Sequence, residues 1–226
     1  MDRSSTIEDV VEVLRADVAE VERAIRSHRF VAALEAGAVE RERLREFAGA
    51  QRAIIASDRR SFAQLAARFP APPAGDLFLA LARGEGEALV RLAPLCAALG
   101  ADEAWLAAYE PSPGVQAYPS FLAWLALNGS RADAALALLV NLDVWGANCA
   151  RAGEALRARY GLDDEALGFF RFFAEPSPAL RRSALAVLGE GLEEGDSATR
   201  ARWAARTLQA CELAFWDALL QERAGP

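Results

Sequence analysis

Between Ser130 and Gly161 the chain reads RADAALALLVNLDVWGANCARAGEALRARY, residues 131–160. Ser130 is a residue type that caps helix N-termini, and Gly161 is the type that closes them. The stretch between them shows no strand alternation, so it predicts one long helix from Arg131 to Tyr160. The same punctuation continues on both sides. Downstream, Asp163 or Asp164 opens a short aromatic helix over Glu165–Phe173, and Glu175-Pro176-Ser177-Pro178 separates it from a helix over Ala179–Leu192. Asp196 or Ser197 then precedes a terminal helix reaching Gln221. Upstream, Asn128-Gly129-Ser130 ends a segment from Val115 to Leu127 in which Pro119 starts or kinks a helix. Asp102 opens a short segment carrying Trp105 and Leu106. Asp76 reads as the cap of a helix that Gly84-Glu85-Gly86 interrupts and that resumes to Leu99. Earlier still come Glu40–Phe69, stopped by Pro70, then Phe30–Glu35, and a first helix over Thr6–Ser27. With short loops, no repeat and no interdomain linker, the reading is all-α and one domain spanning residues 1–226.

Composition narrows the function classes. The chain has 226 residues, a formal charge of -7 and 53% hydrophobic residues. An acidic balance disfavours nucleic acid and anionic membrane surfaces as partners. All 25 basic residues are arginine. Cys96, Cys149 and Cys211 are far apart, each in an apolar helical pattern, which fits buried thiols in a reducing cytoplasm. No signal peptide and no transmembrane-length apolar run is read, so cytoplasm is the expected compartment. The single histidine, His28, excludes sites built on several imidazoles within one chain. Its place in Ser27-His28-Arg29-Phe30 suggests a helix-end residue rather than a haem ligand. No metal or cofactor is therefore expected.

Nucleophile elbows, lysine phosphate loops, HExxH and CxxC are all missing from the sequence. What stands out is Glu212. Leu208, Glu212, Phe215 and Leu219 share one helical stripe, and the neighbouring stripe of Leu213, Trp216 and Leu220 is also apolar. A carboxylate so placed must be paired, hydrogen-bonded or neutral, and burial should raise its pKa. On the 131–160 helix, Leu138, Asn141, Trp145, Asn148 and Ala152 share a stripe, with Asp143 on an adjacent face. These polar groups read either as helix cross-links or as the wall of a polar cavity. Asp58-Arg59-Arg60 reads as a solvated face or an intrahelical charge network.

The order of several short motifs resembles TenA-type proteins, thiaminase II and its relatives in the TENA/THI-4/PqqC group. They are His28-Arg29-Phe30 with the small-residue helix to Gly37, then Arg41-Glu42-Arg43-Leu44-Arg45-Glu46-Phe47, Gln116-Ala117-Tyr118 with Phe121-Leu122, Asn128-Gly129-Ser130, and Glu212 followed by Phe215-Trp216. The resemblance implies a haem-oxygenase-like helical bundle, assembled as a homodimer or homotetramer. It also implies a pocket for the aminopyrimidine of thiamin, a nucleophilic Cys, an Asp that holds the pyrimidine, and a C-terminal Glu that handles protons. Glu212 matches that Glu, Phe215 the aromatic after it, Tyr118 a pocket tyrosine, and Phe173 stands for another. Arg52 occupies the Asp position, and Asn141 or Asp143 the Cys position. Without a thiolate there the covalent route fails. The expectation is a metal-independent small-molecule-binding protein or enzyme with a non-standard ligand. Glu212 and Asp143 are its candidate catalytic residues, and Arg52, Tyr118, Asn141, Trp145, Phe173 and Phe215 its candidate ligand contacts. A thiamin-pyrimidine salvage hydrolase using Asp143 or Cys149, and a non-catalytic scaffold with Arg52 paired to Glu212, are the alternatives.

Overall fold

The computed structural model describes residues 7–220. In chain order these form α1 (Ile7–Arg26), α2 (Arg29–Ala36), α3 (Arg41–Arg68), α4 (Ala74–Ala98), α5 (Glu103–Ala108), α6 (Pro113–Asn128), α7 (Arg131–Tyr160), α8 (Gly168–Ala174), α9 (Pro178–Glu193) and α10 (Ala198–Ala218). The expected helix ends at Thr6 and Gln221 lie outside the described residues. The caps explain why α7 begins and ends where its sequence predicts. The Ser130 hydroxyl accepts from the Asp133 N–H at 3.2 Å, and the Asp133 carboxylate accepts from the Ser130 N–H at 2.9 Å. Arg200 of α10 reaches the same carboxylate at 2.9 Å. At the other end Gly161 adopts φ 67°, the left-handed conformation that glycine takes without strain.

Helix α7 is the axis of the bundle. It packs against α10, α9, α8 and α2, while α3 lies along α4 and α6 bridges α3 and α10. From Ala132 to Asn141 every residue of α7 is buried, which a helix tolerates when its neighbours surround it. The alanines there let those neighbours approach closely. Gly146 serves α8 in the same way: a Cβ at this position would stand 2.8 Å from the Phe173 carbonyl oxygen. Gly146→Ala is therefore expected to push α8 outward and to destabilise the fold by about 1–3 kcal/mol, read as a lowered thermal midpoint. A variant as stable as wild type would show that α8 moves freely.

Two expectations are corrected. Helix α4 runs through Gly84 and Gly86 without interruption. Each glycine costs about 1 kcal/mol relative to alanine, but the buried face of Leu77, Leu81, Ala88 and Leu92 outweighs it. Asp76 lies inside the first turn of α4 rather than capping it, where its charge still favours the helix dipole. His28 is the N-cap of α2, accepting from the Phe30 N–H through Nδ1 at 3.2 Å. Its Nε2 faces Asp217 at 3.1 Å, so one ring nitrogen caps α2 and the other fastens it to α10.

Candidate functional site

Five long helices and the short α8 enclose a cavity of about 60 Å³, room for about two waters. Helix α7 contributes Asn141 and Trp145, α10 contributes Glu212 and Phe215, α6 contributes Tyr118, and α8 contributes Phe173. Gln51, Asp58 and Phe62 enter from α3, and Glu85 from α4. A much larger open groove of about 980 Å³ crosses the outer face of α3 and α4, lined by Arg59, Arg83, Val90 and Arg91 among others. Its walls are solvated side chains. The convergent buried polar groups belong to the small cavity, and any selective chemistry belongs with them.

The polar wall of that cavity is one hydrogen-bonded chain. The Tyr118 hydroxyl donates to Asn141 Oδ1 at 3.0 Å. Asn141 Nδ2 donates to Glu212 Oε2 and, at 3.4 Å, to Gln209 Oε1. One turn along α10, Trp216 Nε1 donates to Glu212 Oε1 at 3.1 Å. Glu212 is only 3% exposed. Burial pushes its pKa up to about 8, against the opposing pull of the Trp216 and Asn141 hydrogen bonds and of Arg26. Burial likewise holds Tyr118 well above the usual tyrosine value, with the charges of Asp58, Glu212 and Glu85 adding to it. Tyr118 is thus a donor, and Glu212 holds a proton near neutral pH.

Six of the residues singled out in the sequence surround this cavity: Glu212, Tyr118, Asn141, Trp145, Phe173 and Phe215. Two stand elsewhere. Arg52 is exposed on the outer side of α3, so it neither lines the cavity nor meets Glu212, whose partners are Asn141 and Trp216. Asp143 points outward to an ion pair with Arg181 of α9 at 3.0 Å. The α7 helix turns it away from the stripe that Asn141 and Trp145 share. The scaffold expectation of an Arg52–Glu212 bridge is likewise not realised. Of the two amides on that stripe, Asn148 is a cross-link, donating to the Ile25 carbonyl of α1 at 3.0 Å. Cys149 is buried, and burial together with the nearby Glu212 charge holds its thiol well above the ordinary value.

Asp58 and Glu85 also line the cavity, which corrects the reading of Asp58-Arg59-Arg60 as a solvated face: Arg59 and Arg60 are exposed, and Asp58 is turned inward. Asp58 is 5% exposed, and its Oδ1 is buried without a hydrogen-bond partner. Burial first, and then the Glu85 charge, raises its pKa well above the usual carboxylate range. Burial pushes Glu85 up to about 8. The signal was present: Ile54, Asp58 and Phe62 fall on one stripe of α3, and Leu81, Glu85, Ala88 and Leu92 on one stripe of α4. The flanking Arg59-Arg60 and the two glycines obscured it.

The chain matches the TENA/THI-4/PQQC family over residues 15–222. Solved structures show the same fold. A TenA homologue from P. horikoshii OT3 superposes with a TM-score of 0.72 at 19% identity, covering 93% of this chain and 97% of that one. A putative TenA-like thiaminase from Sulfolobus solfataricus gives 0.66 at 15% identity, with 93% and 95% covered. A domain of unknown function with a heme oxygenase-like fold from Shewanella denitrificans gives 0.66 at 14% identity, with 92% and 89% covered. No curated protein matches the chain. The architecture is therefore the haem-oxygenase-like helical bundle. None of the described helices is long and apolar enough to cross a membrane.

Proposed function

Because the chain belongs to the TENA/THI-4/PQQC family, we propose that it is a TenA-type small-molecule-binding protein or enzyme whose ligand is not the thiamin pyrimidine, with Glu212 as its acid–base group. The observation that carries this reading is the bonded chain Tyr118–Asn141–Glu212–Trp216 along the cavity wall. Both Glu212 oxygens accept from the protein, and the residue lines the cavity. A carboxyl pushed up to about 8 takes and returns a proton near neutral pH. Of Asn141 and Asp143, the two residues that the resemblance offers for the place of the nucleophilic cysteine, only Asn141 lines the cavity. An amide held by Tyr118 and Glu212 supplies no nucleophile, and the buried Cys149 is held as a thiol. Action in the cytoplasm as a homodimer or homotetramer belongs to the same proposal.

Incubation of wild-type protein with thiamin, with the released aminopyrimidine followed by chromatography, tests this reading. No release is expected. Release above the rate of a heat-treated control would restore the salvage hydrolase. The narrowness of the cavity favours a second reading, a non-catalytic interaction bundle. Trp145 lines the cavity and Trp216 bonds to Glu212, so a bound ligand should change tryptophan emission. A metabolite screen with no saturable change would favour the bundle.

A further inference from the structure

The charge of the cavity has one sign. Its ionisable lining groups are the carboxyls Asp58, Glu85 and Glu212 with the Tyr118 hydroxyl, and no basic side chain is among its lining residues. This holds in a chain with 25 arginines, two of which, Arg59 and Arg60, directly follow Asp58 and are exposed. Glu212 is saturated by Asn141 and Trp216, but Asp58 is not. Its Oδ1 is buried and accepts nothing, and the residue lines the cavity. An unpartnered buried carboxyl oxygen is costly. Glu85 faces the same space from α4, and its charge adds to the cost of ionising Asp58. Such an arrangement is unfavourable in the empty protein and favourable around a group that brings N–H donors and positive charge.

We propose that the Asp58–Glu85 end of the cavity binds the nitrogen cation of a small organic ligand, an amidinium or primary ammonium head. The head donates to Asp58 Oδ1 and sits between two carboxyls, with the aromatic faces of Phe62, Trp145 and Phe173 around the same cavity. Among the described residues no three His, Cys, Asp or Glu side chains gather as a metal-ion cluster, so an organic cation fits the donor set better than a divalent metal. In the unliganded protein burial favours the protonated carboxyls, and one bound cation takes the place of one of those protons. Asp58 lies six residues along α3 from Arg52, the position that the resemblance assigns to the pyrimidine-holding acid. The acidic contact of this cavity is therefore supplied from a different place on the helix. The inference rests on the cavity being a ligand site, as the proposed function has it.

The test uses acetamidinium and its neutral isostere acetamide, titrated against the full chain by ligand-observed NMR. Wild-type protein is expected to bind acetamidinium saturably and acetamide about tenfold or more weakly, as loss of charge-assisted hydrogen bonds implies. Asp58→Asn and Glu85→Gln should each weaken acetamidinium about tenfold or more, whereas Asp164→Asn, exposed and outside the cavity, should stay within about threefold of wild type. Asp58→Asn replaces a buried ionisable carboxyl by a neutral amide of the same shape and is expected to melt at or above the wild-type temperature. Should it fail to fold, Glu85→Gln alone decides. No saturable acetamidinium binding, equal binding of acetamide, unchanged affinity in the folded Asp58 and Glu85 variants, or an equal loss in Asp164→Asn each overturns the proposal. A saturable tryptophan-emission response to another metabolite, with acetamidinium failing to bind, would overturn the cation site and leave the proposed function standing.

Discussion

Raising the pH from about 4.5 to about 8 should cost the wild-type protein several kcal/mol of folding stability, and Glu212→Gln should remove a large share of that loss. The folded Glu212 titrates at about 8 instead of 4.5. Below 4.5 both folded and unfolded states carry the proton, and the contribution of Glu212 to stability is fully present. As the pH rises the unfolded chain ionises first, and stability falls by about 1.4 kcal/mol per pH unit for one such group. Above about 8 both states are ionised and the decline stops. Glu85 acts over the same window, so the variant should flatten the profile without levelling it. The groups that bear on Glu212 are the Trp216 and Asn141 donors and Arg26, which favour the charged form, and Glu22, which opposes it. Urea unfolding at a series of pH values measures the effect. Parallel profiles for wild type and variant would mean that Glu212 is ionised in the folded protein.

Asn141→Leu is expected to be the most damaging single change in the polar wall. Leucine keeps the same branched side-chain shape with somewhat bulkier methyl ends, so most of the packing is retained while three hydrogen-bonded groups lose their common partner. The Tyr118 hydroxyl is left without its acceptor, and Glu212 and Gln209 without a donor. Stranding buried polar groups costs about 1–3 kcal/mol each, and relaxation of Tyr118 should hold the total to roughly 2–4 kcal/mol. The midpoint of denaturant unfolding at neutral pH reads it. Glu212 should also titrate higher than in wild type, because a bond favouring its charged form is gone. A variant within experimental error of wild-type stability would show that the wall is not a connected unit.

The fold was legible because helix punctuation is local. Ser130, Gly161, Asp102 and Ser197 each act within a turn of their own position, and their effects need no tertiary context. Glu212 was legible for a related reason: an acid on an apolar stripe betrays its burial. Asp58 and Glu85 obey the same rule, but neighbouring arginines and glycines gave a local explanation that stopped the inference short. Arg52 and Asp143 show the opposite limit. Matching a family position by order leaves the rotation of the residue about its helix unfixed, and one residue of slippage turns a side chain by about 100°. The meeting of Asp58 on α3 with Glu85 on α4 depends on the packing of two helices, and no single stripe contains that information.

The Tyr118–Asn141 bond joins α6 to α7, and the Asn141–Glu212 bond joins α7 to α10. A ligand group that competes for the Asn141 amide must therefore unfasten one helix from another before it gains a contact of its own. The affinity measured for such a group is what remains after that exchange, and it understates the strength of the new bond. Tight binding at this wall consequently belongs to molecules that leave the amide alone, or that hand each helix a replacement for the partner it gives up.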